Sequence, residues 1–216
     1  MKTMLFKHIF MKIRQNYKRF LSLLFMALLG IGFYAGIEAC SPDMLKTLDK
    51  FYDDNDVYDI MIISNLGLNN KDVDSLSEID GIDKVIGSYE KDTYLKLNNE
   101  QYVIKVLGLS DNINKVYLEQ GRLPQNNQEI VVEKKMVLDN NLNIGDYINI
   151  LGGDKKIVGT VISPLYFSTE RPSTNLGSGK VNYYAYTLSD LLKSDYYSVV
   201  YVTINDTVDM LSLIHI

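Results

Sequence analysis

Residues Phe20 to Ile37 read FLSLLFMALLGIGFYAGI, 18 positions without a charge. At about 1.5 Å per residue, a helix of that length covers about 27 Å, close to the hydrocarbon core of a bilayer. Six bases and no acid precede it: Lys2, Lys7, Lys12, Arg14, Lys18 and Arg19. The first acid of the chain is Glu38. A core helix of a soluble protein has no reason for flanks so unequal. A cleaved signal peptide carries an apolar region of about 7–15 residues after a short basic start; here the start is 19 residues and the apolar run is longer. The stretch reads as a retained transmembrane helix over 20–40. The Lys/Arg excess before it places the N-terminus in the cytoplasm and everything after about residue 40 outside.

Details on either side refine this reading. Gly32 and Gly36 form a small-xxx-small pair, which suits helix–helix contact in lipid and is equally ordinary for a membrane helix. Ile37-Glu38-Ala39-Cys40 loosely resembles a lipoprotein cleavage box, but a Glu inside such a box is unusual and the segment before it is long. A lone Cys at the outer end of a membrane helix is the simpler reading. On a helical wheel Leu5, Phe6, Ile9, Phe10, Ile13 and Tyr17 share one broad face. Lys7, Arg14 and Lys18 lie opposite, with Lys12 and Arg19 at the edge. This predicts an amphipathic elbow helix over 1–19, lying on the inner leaflet before the chain turns into the membrane.

The whole-chain averages conceal this segregation. The 216 residues are 46% hydrophobic and 23% charged with net charge −5, figures that by themselves suit a globular chain and exclude collagen-like and disordered classes. Removing six of the 22 bases leaves 16 against 27 acids, so residues 20–216 carry −11. One Cys and two His exclude a disulfide framework, a zinc finger and a multi-His metal site. The acidic balance argues against nucleic acid as a partner.

Beyond Cys40 the pattern predicts a strand-rich α+β domain over 41–210. The membrane helix either continues through Pro42-Asp43-Met44 or gives way to a new helix capped by Ser41 with Pro42 at its first position. Asp53-Asp54-Asn55-Asp56 ends that segment. Val57–Ser64 reads as a strand with Ile60 to Ile63 buried, and Asn70 or Lys71 opens a short helix through Ile79. Lys84–Leu97 and Gln101–Leu109 read as a hairpin around Asn98-Asn99-Glu100. Glu129–Glu133 is a short strand and Lys134–Asn140 a short helix. Asp146–Leu151 and Lys156–Ser163 make a second hairpin around Gly152-Gly153-Asp154. Val181–Thr187 and Tyr196–Ile204 are strands flanking a helix at Leu188–Ser194.

The motifs that suggest chemistry fail on inspection. Gly177-Ser178-Gly179-Lys180 lacks the first Gly and the final Ser/Thr of a phosphate loop, since Thr174 and Val181 stand there. It reads as a flexible loop, with no nucleotide cofactor. Asp53, Asp54 and Asp56 lack the spacing of a calcium loop and read as a solvated helix end. His8 and His215, at the two ends of the chain, leave no histidine for a catalytic triad. No enzyme activity, catalytic residue, cofactor or metal is expected. Tyr183, Tyr184, Tyr186, Tyr196, Tyr197 and Tyr201 crowd the C-terminal third and read as packing on a sheet face. A peptide- or lipid-contacting surface is the minority reading.

Four segments taken in order resemble the FtsX/MacB-like permeases, the large permease subunits of bacterial ABC transporters, in their clostridial form. The first is the basic start with Arg19-Phe20-Leu21-Ser22, the glycine-bearing helix, Gly36-Ile37-Glu38-Ala39 and Ser41-Pro42-Asp43-Met44. The second is Glu119-Gln120-Gly121-Arg122-Leu123-Pro124 with Glu129-Ile130-Val131. The third is Ile144-Gly145-Asp146, and the fourth is Ser163-Pro164-Leu165-Tyr166 leading to Gly177-Ser178-Gly179-Lys180. The resemblance implies a MacB-like extracytoplasmic domain followed by further membrane helices, a separate cytoplasmic ATPase subunit, and a second permease copy or half. Its substrates would be peptides, lipids or lipoproteins. It gives Arg19, Phe20, Gly30, Gly32, Gly36 and Ile37 a place in the membrane and in coupling. Pro42, Asp43, Met44, Gly121, Arg122, Pro124, Gly145, Asp146, Pro164, Tyr166, Gly177 and Gly179 become shape-holding positions. Leu211-Ser212-Leu213-Ile214-His215-Ile216 matches the translation of a sequencing-library transposon end, so 211–216 is expected to be a non-native scar on a truncated permease. Two other readings remain from sequence: a single-pass membrane-anchored binding or sensing protein, and a lipoprotein held through Cys40.

Overall fold

A computed structural model describes residues 2–166 and 170–205. The 211–216 segment lies outside the described residues. The chain divides into two compact units, Met1–Lys50 and Phe51–Ile216, so the division falls ten residues beyond the boundary expected at Cys40.

The first unit is helical. Helix α1 spans Lys2–Gln15 and α2 spans Tyr17–Asp54. The interruption falls at Asn16, not at Arg19. The bonds Asn16 N–H to Lys12 O (3.1 Å) and Phe20 N–H to Asn16 O (3.0 Å) carry the helical ladder across it. The 38 residues of α2 extend about 57 Å, nearly twice a bilayer's hydrocarbon core of about 30 Å. Its first half is the apolar run, and the half from Glu38 onward is charged. Pro42 lies inside the helix, so a fresh start capped by Ser41 is not used. The proline removes the N–H that would reach the carbonyl of Glu38.

The second unit contains two sheets. Strands β1 (Ile60–Ile62), β2 (Ile82–Ser88) and β10 (Val199–Ile204) form a small antiparallel sheet in the order β1-β10-β2. Helix α3 (Asn70–Ser77) packs on it, placing Val73 and Leu76 against Leu68, Val200 and Val202. A capping box starts α3: Asn69 Oδ1 accepts from Lys71 N–H (2.8 Å), and Asp72 accepts from Asn69 N–H (2.8 Å). β1 alternates where a buried run was expected: Ile60 and Ile62 pack inward, while Met61 and Ile63 are exposed. It is an edge strand with one covered face, so only every second residue is buried.

The large mixed sheet runs β3-β4-β9-β6-β8-β5, and β7 also pairs with β8. Its strands are β3 (Glu90–Leu97), β4 (Glu100–Gly108), β5 (Tyr117–Gly121), β6 (Glu129–Glu133), β7 (Tyr147–Ile150), β8 (Gly153–Ile162) and β9 (Tyr183–Thr187). Pairs β4/β9 and β6/β8 are parallel. The sheet curls until β3 touches β7. Ile104, Ile130, Ile148 and Ile157 fill its interior with Met136 of α4 (Lys134–Asn140). A second core, with Leu107, Val131, Val158, Tyr184 and Tyr186, covers the other face. A short α5 (Ser189–Leu192) follows β9.

Both expected hairpins form. Asn98 (φ 51°) and Asn99 (φ 65°) make a two-residue turn with positive φ at both positions, which suits the twist of the flanking strands. Leu151 (φ 56°) and Gly152 (φ 79°) do the same between β7 and β8. The stretch Lys84–Leu97, expected as one strand, breaks at Tyr89 and contributes to both sheets. The Ser198 hydroxyl accepts from Glu90 N–H (3.1 Å) and donates to Glu90 O (3.2 Å), fixing the crossing. The tyrosines occupy both faces of β9, not one. Tyr183 points into the first core, Tyr184 and Tyr186 into the second, as in any central strand covered on both sides.

Candidate functional site

At the start of the second unit, the residues Phe51 to Tyr58 meet Lys84 of β2 and the Asn114-Lys115 loop after β4. Helix α2 ends where Asn55 turns its amide back to Phe51 O (2.7 Å). Asp56 follows with φ 47°. Its carboxylate takes Lys84 of β2 at 2.6 Å and, on the other oxygen, Lys115 of the loop after β4. The same loop bonds the turn's backbone, with Asn114 N–H to Asp56 O (2.8 Å) and Lys115 N–H to Asn55 O (2.9 Å). Asn114 Oδ1 accepts from Tyr58 N–H at 3.0 Å. Hydrogen bonds from Lys115 and then Lys84 hold the Asp56 carboxyl below its ordinary range, and Asp56 raises Lys84 in return. A helix end expected to be solvated is thus a bonded polar cluster of Asn55, Asp56, Tyr58, Lys84, Asn114 and Lys115. Its partners come from loops and strands far along the chain, so residue spacing near Asp56 held no trace of them.

Within α2, Arg19, Phe20, Ile37 and Met44 are exposed, and no residue of the helix is buried. A Cβ added at Gly30, Gly32 or Gly36 would meet nothing within 4 Å, and Gly32 and Gly36, one turn apart, share a face open to a close neighbour. Asp43 accepts the Thr47 hydroxyl on its carbonyl at 2.8 Å, one turn beyond the Pro42 gap.

The later motif residues hold the domain's shape. Gly121 has φ +80°, and a Cβ there would come within 2.3 Å of Val158 O. The next residue, Arg122, donates its N–H to that same carbonyl at 3.0 Å. Its guanidinium grips Glu129 with two bonds, of 2.7 Å and 2.5 Å, and Glu129 also accepts from Gln125 N–H at 2.9 Å. Arg122 and then the Gln125 N–H pull the Glu129 carboxyl down to about 2. Pro124 is buried between the two ends of this clasp. Gly145 (φ +108°) and Asp146 form the tight turn before β7, where Asp146 accepts Asn143 N–H at 2.7 Å and Gly145 N–H reaches Ile157 O at 2.8 Å. Pro164 is buried, and the Ser163 hydroxyl bonds the Tyr186 hydroxyl. Tyr166 stacks on Tyr184 with centroids 3.7 Å apart and planes within 6°.

Arg171 lies 4.8 Å from the centroid of the Tyr184 ring and pairs bidentately with Glu133 at 2.9 and 3.1 Å. This ion pair had no motif to announce it. Burial pushes Glu133 upward against the pull of Arg171. The segment Gly177 to Lys180, expected as a flexible loop, is a bonded turn. Gly177 N–H donates to the Tyr94 hydroxyl (3.1 Å), Gly179 N–H to Leu176 O (3.0 Å), and Ser173 bridges to Lys180. Among the described residues no group of three or more His, Cys, Asp or Glu is arranged to hold a metal.

Fold and joint together define a class: an α+β domain with its own cores, led in by a helix long and apolar enough to cross a membrane. Among solved structures the chain is similar to the periplasmic region of MacB from Actinobacillus actinomycetemcomitans, with 17% identity and a TM-score of 0.45 over 68% of this chain and 70% of that one. It is also similar to the extracellular domain of the noncanonic ABC-type transporter YknZ from Gram-positive bacteria, with 18% identity and a TM-score of 0.45 over 69% and 82%. No family model and no curated protein matches the sequence.

Proposed function

We propose that this chain is part of the permease subunit of an ABC transporter of the FtsX/MacB kind. Helix α2 crosses the cell membrane with the N-terminus in the cytoplasm, and the domain from Phe51 onward lies outside. A separate cytoplasmic ATPase supplies the energy, and a second permease copy or half completes the membrane part. The cargo is peptide or lipid-like and is exported or extracted. This chain contributes coupling and no bond chemistry: nucleotide binding biases the membrane helices between two arrangements, and the outer domain follows.

One observation carries the reading. Helix α2 runs unbroken from an apolar, bilayer-length half into a charged half, and its last turn is followed at once by the Asp56 joint. That cluster fixes the first residues after the helix to β2 and to the loop after β4, within the second unit. The ordered motifs add support, because Gly121, Arg122 and Glu129 form one clasp.

The test has two parts. A periplasmic-type reporter fused after Asp56 should be active outside the cytoplasm. The tagged full-length protein, extracted from its native membrane, should copurify with an ATP-binding-cassette ATPase, and Asp56→Ala should lower ATP turnover without releasing that subunit. A cytoplasmic reporter would overturn the orientation. An outward domain with no ATPase attached would leave a single-pass sensor as the correct reading. Loss of membrane retention in Cys40→Ala would instead establish a lipoprotein.

A further inference from the structure

We infer that the first residues of β4 are a docking lane for an extended peptide, which adds to the large sheet as a short extra strand. The inference rests on the proposed function only in taking that peptide for cargo. Along a strand, every second residue turns its N–H and C=O to the same side. In β4 the odd-numbered residues turn toward β9. Val103 N–H donates to Asn182 Oδ1 and Val103 O accepts Asn182 N–H, both at 2.7 Å. Just past the strand, Leu109 N–H reaches Thr187 O at 2.8 Å. Gly108, an even residue, turns the other way and donates its N–H to Tyr89 O at 3.0 Å. Gln101 therefore points its N–H and C=O into the lane of β9. No part of β9 lies beside it, because the pairing of the two strands starts at Ile104 with Tyr183. The chain before β9 leaves the lane: Val181 N–H turns to Pro172 O at 3.2 Å, and Lys180 bridges to Ser173.

Among the described residues the lane is a cleft of about 330 Å³, lined by Gln101, Tyr94, Tyr102, Gly177, Ser178 and Asn182. Gln101 and Ser178 are exposed and Tyr94 is 43% exposed, so the cleft is reached from solvent. Its walls are held. Gly177 N–H donates to the Tyr94 hydroxyl at 3.1 Å, and a Cβ on Gly177 would come within 2.8 Å of the Val103 side chain. Tyr102 leans on Tyr183 with ring centroids 5.2 Å apart. What the cleft offers identifies its occupant. One donor and one acceptor from a single strand residue match the C=O and N–H of another extended backbone. No lining side chain is charged, so a phosphate or a lipid headgroup finds no ionic partner there. Tyr94 pairs with Val103 and Tyr102 with Leu95, so the two rings stand on opposite faces of the sheet. Successive residues of an added strand meet one ring or the other, which favours apolar and aromatic side chains.

The test uses the full chain in lipid nanodiscs and reads hydrogen exchange, by rapid labelling, in the peptic fragments that carry Gln101. The probe is a capped peptide of alternating valine and threonine, closed by a lysine for solubility. A few ladder bonds and one packed side chain support a Kd of about 1 mM. Peptide at about 10 mM should therefore slow exchange at Gln101 about tenfold. The same peptide N-methylated at every valine and threonine cannot donate ladder bonds and should leave that exchange unchanged. Ser178→Trp fills the cleft from an exposed position and should abolish the slowing. No slowing by the unmethylated peptide would overturn the inference. Slowing by the methylated peptide, or slowing that survives Ser178→Trp, would overturn it too, because the contact would then lie off the lane. The outcome is separable from the test of the proposed function. A chain that copurifies with the ATPase but shows no slowing loses this site alone. Slowing in a chain with no ATPase attached keeps the site and defeats its role in cargo handling.

Discussion

Arg122 and Glu129 stand seven positions apart and meet because Gly121 lets β5 approach β8 closely. The Glu129 carboxyl titrates near 2 in the folded chain against 4.5 for the free side chain. Its contribution to stability is therefore complete above about pH 4.5 and lost as the pH falls toward 2. Replacing Arg122 by Leu should lower the thermal midpoint at neutral pH, and the gap from the parent should close as pH drops through that window. Melting curves across pH check this; a gap independent of pH would mean the pair carries no charge-dependent stability. Gly121→Ala should cost about 2 kcal/mol or more, since it adds a Cβ 2.3 Å from a carbonyl at a positive φ. Denaturant unfolding measures it. The sequence marked Gly121 and Arg122 through a turn-like motif and left Asp56 as solvated helix end. The difference is distance: Glu129 lies seven residues from Arg122, but Lys84 and Lys115 lie 28 and 59 residues from Asp56. Pairings of that range leave no local spacing to read.

Among the elements, those whose cause is local were legible and those whose cause is tertiary were not. The Asn98-Asn99 turn, helix α4 and strand β6 follow from neighbouring residues and form where expected. The stretch Lys84–Leu97 carries one unbroken strand pattern, and its division between sheets is decided by β10 and β4, which it meets only in the folded domain. Helix α2 continues through Pro42 and ends at Asp54, which is one of the two courses the local residues left open. Two substitutions test local causes. Asn69→Ala removes an acceptor from the capping box and should cost about 1 kcal/mol. Asn99→Gly places the residue best suited to a left-handed second turn position at φ 65°, and should stabilise the hairpin by about 0.5 kcal/mol. Chemical denaturation reads both, with opposite signs; equal signs would show that the turn geometry is set elsewhere.

For the whole molecule, the informative quantity is how charge and apolar surface are partitioned. The six bases before the span and the −11 after it divide at the membrane helix, and the domain from Phe51 has its own cores. Residues 51–216 expressed alone should therefore unfold at the same midpoint as the domain in the full chain. A clear drop in calorimetry would show that the helices stabilise the sheets. Within that domain Ile104 is fully buried at the centre of the curled sheet, and Ile104→Ala should cost about 3 kcal/mol.

The placement of β1 beside β10 has a consequence for how the domain is made. Ile60 pairs with Val202, 142 positions later, and β4 cannot acquire its parallel neighbour until Tyr183 has arrived. At a synthesis rate of about 5–20 residues per second, β1 waits about 7–28 s for its partner. If the domain is delivered across the membrane as it is made, β1 spends that interval as an open edge. The small sheet is then closed only when β10 arrives, and any factor that shields unpaired strands outside the membrane has its opportunity in that interval.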